Sequence, residues 1–245
     1  VYDMKKSTLA LIVPATLLSG AVMADSTYVT GNVQAHDSNL HGSGMTSTLE
    51  AGHTFDNSFG GLTLLTEFDG IQIGSLKAQE VTHPDGSKSM EKFNSPAYVT
   101  LGAEQSFSVN ENLWMAVGYH HLMANGKEVQ YRPLVKIGYN FDNGISISNR
   151  TRAQIDAADK NANDMDVRFD NRIAYTLTDA PVTLSYNNVY LLAGDAHNGD
   201  SRDSSMDHEL RATWNKSEGV QPYVEYRNQD DNYNNAFVIG ASYSW

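Results

Sequence analysis

The sequence predicts an all-β protein, a 12-stranded antiparallel transmembrane β-barrel with short periplasmic turns and longer extracellular loops. Three observations predict it. From Tyr28 onward, segments of about ten residues alternate apolar and polar, with almost no 3.6-residue pattern. The connectors between them sort into short and long by parity. The arginines gather on one face of the strands.

The first stretch, "VYDMKKSTLALIVPATLLSGAVMAD", has the parts of a secretory signal: Lys5 and Lys6, an apolar run from about Leu9 to Val22, and a small-residue end at Met23 and Ala24. Cleavage is expected after Ala24, with Val1 to Asp3 upstream of Met4, the expected start. A signal anchor is the alternative, but the run is short for one and is broken by Pro14. Residues 1–24 are thus expected to be the signal peptide with upstream residues, and 25–245 the barrel domain.

Strands are expected at 27–36, 46–55, 61–72, 97–106, 112–121, 129–139, 144–155, 165–176, 182–192, 206–215, 220–229 and 235–245. Each is near the ~9–11 residues that a tilted strand needs to cross hydrocarbon, and their number is even. The connectors "DNSFG" at 56–60, "FSVNE" at 107–111, "NFDN" at 140–143, "LTDAP" at 177–181 and "KSEG" at 216–219 are short. Those at 37–45, 73–96, 156–164, 193–205 and 229–234 are polar and mostly longer, in strict alternation with the short ones. An outer-membrane barrel with both termini periplasmic has this asymmetry; a secreted β-sandwich, the alternative, has no reason for it. In the last strand Phe237, Ile239, Ala241, Tyr243 and Trp245 share one face, while Ala236, Val238, Gly240, Ser242 and Ser244 share the other. Lipid outside and water inside demand that division.

The 29 acidic residues outnumber the 17 basic ones, for a net charge of −12, and loss of the leader makes the balance more negative. That excludes a general nucleic-acid binder, which needs a basic footprint. With no cysteine, the exported chain must hold together by packing or backbone pairing. No later segment approaches the ~20 apolar residues of a membrane helix.

With Trp245 pointing outward, the apolar members of each strand set its phase. In the strand after Gly144, Ile145, Ile147, Ala153 and Ile155 face out, so Ser146, Ser148, Arg150, Arg152 and Gln154 face in. The same reading turns Arg168, Asp170 and Arg172 inward, with Arg132 and Lys136 from "YRPLVKIGY", and Glu209, Arg211, Glu225 and Arg227 from the two strands before the last. Of eight arginines only Arg202 falls in a loop. An arginine on lipid at mid-depth costs ~2–4 kcal/mol, whereas a water-filled lumen accepts it.

Glu50, Glu67 and Glu104, with Asp69, oppose the basic strands. Charge segregated in this way creates a transverse field and a basic track for anions. The alternative is an inert plug in which Asp170, Glu209 and Glu225 neutralise the arginines. Tyr98, Trp114 and Tyr223 also face inward, as platforms for sugar rings or as filler. Four residues resist the scheme: Asn149, Thr151, Asn171 and Asn188 would face lipid near strand centres. A β-bulge that shifts the phase would account for them.

The stretches "YRPLVKIGYNF" at 131–141, "QPYVEYRNQ" at 221–229 and "FVIGASYSW" at 237–245 resemble the small outer-membrane porins of the oligogalacturonate-specific KdgM type and their sialic-acid relatives such as NanC. The resemblance implies a narrow, monomeric Gram-negative outer-membrane porin that passes acidic oligosaccharides, oligogalacturonate-like, by passive diffusion. It implies outer-membrane lipid and lipopolysaccharide as surroundings, no cofactor and no enzymatic activity. It carries Arg132, within "YRP", to the lumen; Arg227, after "PYVEY", matches less closely. Trp245 stands where the family more usually has phenylalanine, and Glu50, Glu67 and Glu104 depart from a lumen with two facing basic tracks.

Two other classes remain open on the residues alone. The first is a non-transporting barrel acting as an adhesin or structural protein, with the long loop 73–96 at its mouth. The second is an outer-membrane hydrolase, which needs serine and histidine side chains within ~3 Å on the outer face. His53 lies near the periplasmic end, His208 near the outer rim beside Ser204 and Ser205, and His120 and His121 point to opposite faces. The loop carboxylates Asp156, Asp159, Asp164, Asp166, Asp195, Asp200 and Asp203 match no compact calcium loop and read as solvated charge.

Overall fold

The computed structural model describes residues 25–37, 44–74, 78–83, 86–92, 96–157, 164–196, 199–215, 219–229 and 234–245. The expected leader, Asp159 and parts of several connectors lie outside them. The strands are β1 (Ser26–His36), β2 (Met45–Asn57), β3 (Gly60–Gln72), β4 (Ala78–Thr82), β5 (Lys88–Lys92), β6 (Tyr98–Ser108), β7 (Leu113–Ala124), β8 (Lys127–Asn140), β9 (Ile145–Asp156), β10 (Asp166–Thr176), β11 (Val182–Leu192), β12 (Ser205–Trp214), β13 (Gln221–Gln229) and β14 (Asn234–Ser244).

All but β4 and β5 close into one antiparallel barrel of twelve strands. Its seam joins β1 to β14 from Tyr28↔Ser244 to His36↔Ala236, and Thr27 and Trp245 exchange backbone hydrogen bonds of 2.9 and 3.0 Å. Closure gives every wall strand two neighbours, the condition for carrying backbone polar groups through hydrocarbon. The expected strands are all present, with ends moved by at most three residues.

The wall is inside out relative to a soluble protein. Leu210 and Ile239 are each 58 % exposed on the outer surface, while Val238 is fully buried and Asp170 and Glu225 nearly so on the inner one. Lipid covers such an exterior. Aromatic pairs stand toward both ends of the wall: the rings of Tyr243 and Trp245 lie 5.4 Å apart and those of Tyr139 and Phe141 4.7 Å apart at the short-turn end, and those of Phe169 and Tyr190 6.4 Å apart toward the long-loop end, as in interfacial girdles.

Three expectations are corrected. The strict alternation of connectors fails between β7 and β8, where Asn125 (φ 52°) and Gly126 (φ 71°) make a two-residue hairpin at the long-loop end. Asn-Gly adopts the left-handed values of a type I′ turn at little cost, so both strands run on to meet it. The 73–96 segment is not all loop: β4 and β5 pair with each other, from Ala78↔Lys92 to Thr82↔Lys88. Thirdly, no bulge rephases β9, β10 and β11, whose registers run unbroken. The irregularities lie at Ser47/Leu49 in β2 and Leu122/Met123 in β7. Asn149, Thr151, Asn171 and Asn188 therefore keep their outward parity.

Candidate functional site in the lumen

The inner faces of the strands surround a polar cavity of about 440 Å³. Among the described residues seven cationic side chains and seven carboxylates line it, so the field they set up arises from their separation. Arg132, Lys136, Arg150, Arg152 and Arg168 come from β8, β9 and β10; Glu50, Glu67, Asp69 and Glu104 come from β2, β3 and β6.

Register builds the basic wall. It sets Lys136 beside Arg150, Arg150 beside Asp170, and Arg152 beside Arg168. Between β8 and β9 the pairing lapses at Arg132 and Pro133 and resumes at Leu134↔Arg152. Pro133 has no N–H to give the ladder. Asp170 divides itself between two arginines: Oδ2 accepts from Arg150 Nε at 2.8 Å, and Oδ1 accepts from Arg168 Nε at 2.9 Å and Nη2 at 2.8 Å. Lys136 reaches past β7 to Glu104, which also bonds His120 Nε2 at 2.8 Å. Arg211 and Arg227 share Glu225, and the Arg211 guanidinium lies 4.2 Å from the centre of the Tyr223 ring.

Three arginines are left over. Among the described residues Arg132, Arg152 and Arg172 have no carboxylate within 4.0 Å. Arg132 Nε donates to Gln130 Oε1 at 2.8 Å, whereas the buried Nε of Arg152 has no hydrogen-bond partner. A cation held in that way is costly unless water or a ligand meets it. Across the cavity the Tyr28 hydroxyl donates to Glu50 at 2.7 Å, Glu50 stands opposite Glu67 in register, and Thr48 donates to Asp69 at 2.6 Å.

Of the three inward aromatics, only Tyr223 lines the cavity. Its ring lies flat over Gly240, where a Cβ would come within 2.3 Å of it. Trp114, 3 % exposed, covers Gly138 near the short-turn end; Tyr98, 44 % exposed, sits at the outer end of β6. Arg172 has inward parity in β10, between Ser148 and Asn187, without lining the cavity. Sequence reasoning missed Tyr28, Asn32, His120 and Asp207 in the lining. The alternation of Tyr28, Thr30 and Asn32 against Val29, Gly31 and Val33 carried the signal for two of them.

Residues 41–245 match the protein family described as oligogalacturonate-specific porin protein (KdgM). No curated protein matches the chain. Among solved structures, the KdgM porin aligns with a TM-score of 0.61 and 16 % identity, over 89 % of this chain and 99 % of that one. The KdgM porin in complex with disordered oligogalacturonate gives 0.59 and 15 % over the same shares. The NanC porin gives 0.59 and 12 %, over 89 % of this chain and 98 % of that one. At such identities these structures speak for the fold alone. The family match speaks for more, since it takes in every barrel strand except β1: the chain belongs to the KdgM family of outer-membrane porins, which are channels and not enzymes.

Proposed function

We propose that the lumen passes acidic oligosaccharides of the oligogalacturonate type by passive diffusion, with Arg132 and Arg152 as the groups that meet their carboxylates. The observation that carries this reading is the pair itself: two guanidiniums line the cavity without a carboxylate of their own among the described residues. A sugar carboxylate accepts two parallel N–H bonds from such a group, and so removes the cost of leaving it unpaired. Lys136, Arg150, Arg168, Arg211 and Arg227 already have carboxylates and act by shaping the field. On the facing wall Glu50, Glu67 and Asp69 accept from sugar hydroxyls, a use for carboxylates in a path for anions. Tyr223, buried between Gly240 and the Arg211 guanidinium, steadies that guanidinium and leaves no open ring face for a sugar.

The relative bound to disordered oligogalacturonate supports the substrate class. Several weak contacts in series suit passage better than one tight site, because tight binding slows exit. Outer-membrane lipid and lipopolysaccharide are the proposed surroundings.

Single-channel recording in planar bilayers tests the reading. Trigalacturonate should interrupt the open current in a concentration-dependent way at levels where maltotriose does not. Equal block by the two sugars, or a barrel without an open current, would overturn it.

A further inference from the structure

The lumen keeps unpaired charge on two facing walls. On the acidic one, Glu50 of β2 stands opposite Glu67 of β3 in register, and Asp69 follows Glu67 on the same face of β3. Among the described residues none of the three has a cationic group within 4.0 Å, because Lys136 is committed to Glu104. The hydroxyls of Tyr28 and Thr48 donate to Glu50 at 2.7 Å and to Asp69 at 2.6 Å. Glu67 has no such donor and meets only the carboxyl of Glu50. Two carboxylates side by side on adjacent strands repel unless a proton or a positive group lies between them.

The basic wall holds Arg132 and Arg152, which have no carboxylate of their own. Arg152 is only 7 % exposed, yet its Nε has no hydrogen-bond partner. The walls lie within reach of each other's field: Arg132 senses Glu67 and Asp69, and Glu67 senses Arg150 and Arg152. They do not close into ion pairs across the gap. Between them is the cavity of about 440 Å³, a volume in the ~300–1,000 Å³ range of small-ligand sites.

We propose that the lumen prefers oligosaccharides that carry free amino groups as well as carboxylates over those that carry carboxylates alone, a preference that rests on the passage of sugar acids proposed above. An ammonium has three N–H donors, so it can bridge Glu50 and Glu67 with charge-assisted bonds. A carboxylate on the same or the next ring then takes the free guanidinium of Arg152 or Arg132. A sugar hydroxyl gives the acidic wall a neutral bond and leaves its two carboxylates repelling. A polyuronate answers the basic wall and brings further negative charge toward the acidic one. Inorganic cations answer the acidic wall and leave Arg152 unmet. A sugar of both signs answers the two walls with one molecule.

Two tetrasaccharides of alternating glucuronate and glucosamine test this, one with free amino groups and the other N-acetylated. They share length and carboxylates and differ in the ammonium. Block of single channels is titrated at a pH where the amines are protonated, in the wild type and in Glu67→Gln and Glu50→Gln, with folding verified by heat-modifiable gel mobility. The free-amine sugar should block the wild type at a several-fold lower concentration than its acetylated twin. The glutamine substitutions should remove that difference while leaving block by the acetylated sugar unchanged or stronger, an outcome that a general loosening of the lumen would not give. Equal block of the wild type by the two sugars, stronger block by the acetylated one, or a preference that survives in both variants would overturn the proposal. Trigalacturonate, as a third probe, separates this preference from the reading beneath it. If trigalacturonate does not block and the free-amine sugar still outperforms its twin, the uronate reading falls and the preference for both signs stands.

Discussion

Arg152 on β9 and Arg168 on β10 are register partners on the inner wall, and only Arg168 has a carboxylate. Asp170 holds Arg168 and Arg150 together, so the charge of Arg152 is left facing the lumen. The two groups are chemically alike, but their neighbours give them different roles.

Arg152→Gln should therefore cost function without costing the fold. Removing an unpaired, 7 % exposed cation leaves no orphaned carboxylate behind. Thermal and urea unfolding should be unchanged or shifted toward greater stability. A bond from a charged donor contributes ~1.5–3 kcal/mol, so the blocking affinity of trigalacturonate should fall about tenfold or more. Titration of the blocked-current fraction measures it.

Asp170→Asn should act in the opposite sense. It strips the shared carboxylate from Arg150 and Arg168, and breaking a buried pair in this way costs ~3 kcal/mol or more. The variant should unfold at lower urea concentration, while its reversal potential in a salt gradient moves toward anions because two guanidiniums are released. A variant as stable as the wild type would mean that water already carries those charges.

Gly240 tests the seat of Tyr223. A methyl group there meets the Tyr223 ring at 2.3 Å, and overpacking of that kind costs ~1–3 kcal/mol. Gly240→Ala should lower stability and, by pushing the ring inward, lower single-channel conductance. Adding Tyr223→Ser to Gly240→Ala should restore both. Failure of the double variant to recover would separate the glycine from the ring.

The β4–β5 hairpin forms a two-stranded sheet apart from the barrel, and among the described residues it supplies none to the cavity. Replacing residues 78–92 by a short flexible linker should leave conductance and ion selectivity at wild-type values. A large rise in conductance would place the hairpin across the mouth.

The barrel was legible because two solvents enforce a period of two: Phe237 and Ile239 must meet lipid where Val238 must not. That logic reached the faces of β8, β9 and β10 and hence the inward arginines. It did not reach β4 and β5, where Glu80 and Lys88, both exposed, pair at 2.7 Å outside the barrel wall. Nor could it pair the lumen charges. Alternation gives the side on which a residue stands, whereas the bond from Lys136 to Glu104, with β7 between their strands, depends on register and on side-chain reach. The outward asparagines looked like an error of phase for a related reason. An amide on lipid is costly, and the hydrogen bond from Asn149 to Asn171 that offsets part of the cost appears only once the strands are aligned.

The most direct measurement is swelling of liposomes that contain the purified barrel, driven by trigalacturonate or by maltotriose at equal osmolarity. The wild type should admit the acidic sugar several-fold faster than the neutral one, and a folded variant with Arg150, Arg152, Arg168 and Arg172 replaced by serine should lose that preference. Equal rates in the wild type, or a preference that survives the four substitutions, would contradict a basic wall that selects acidic sugars.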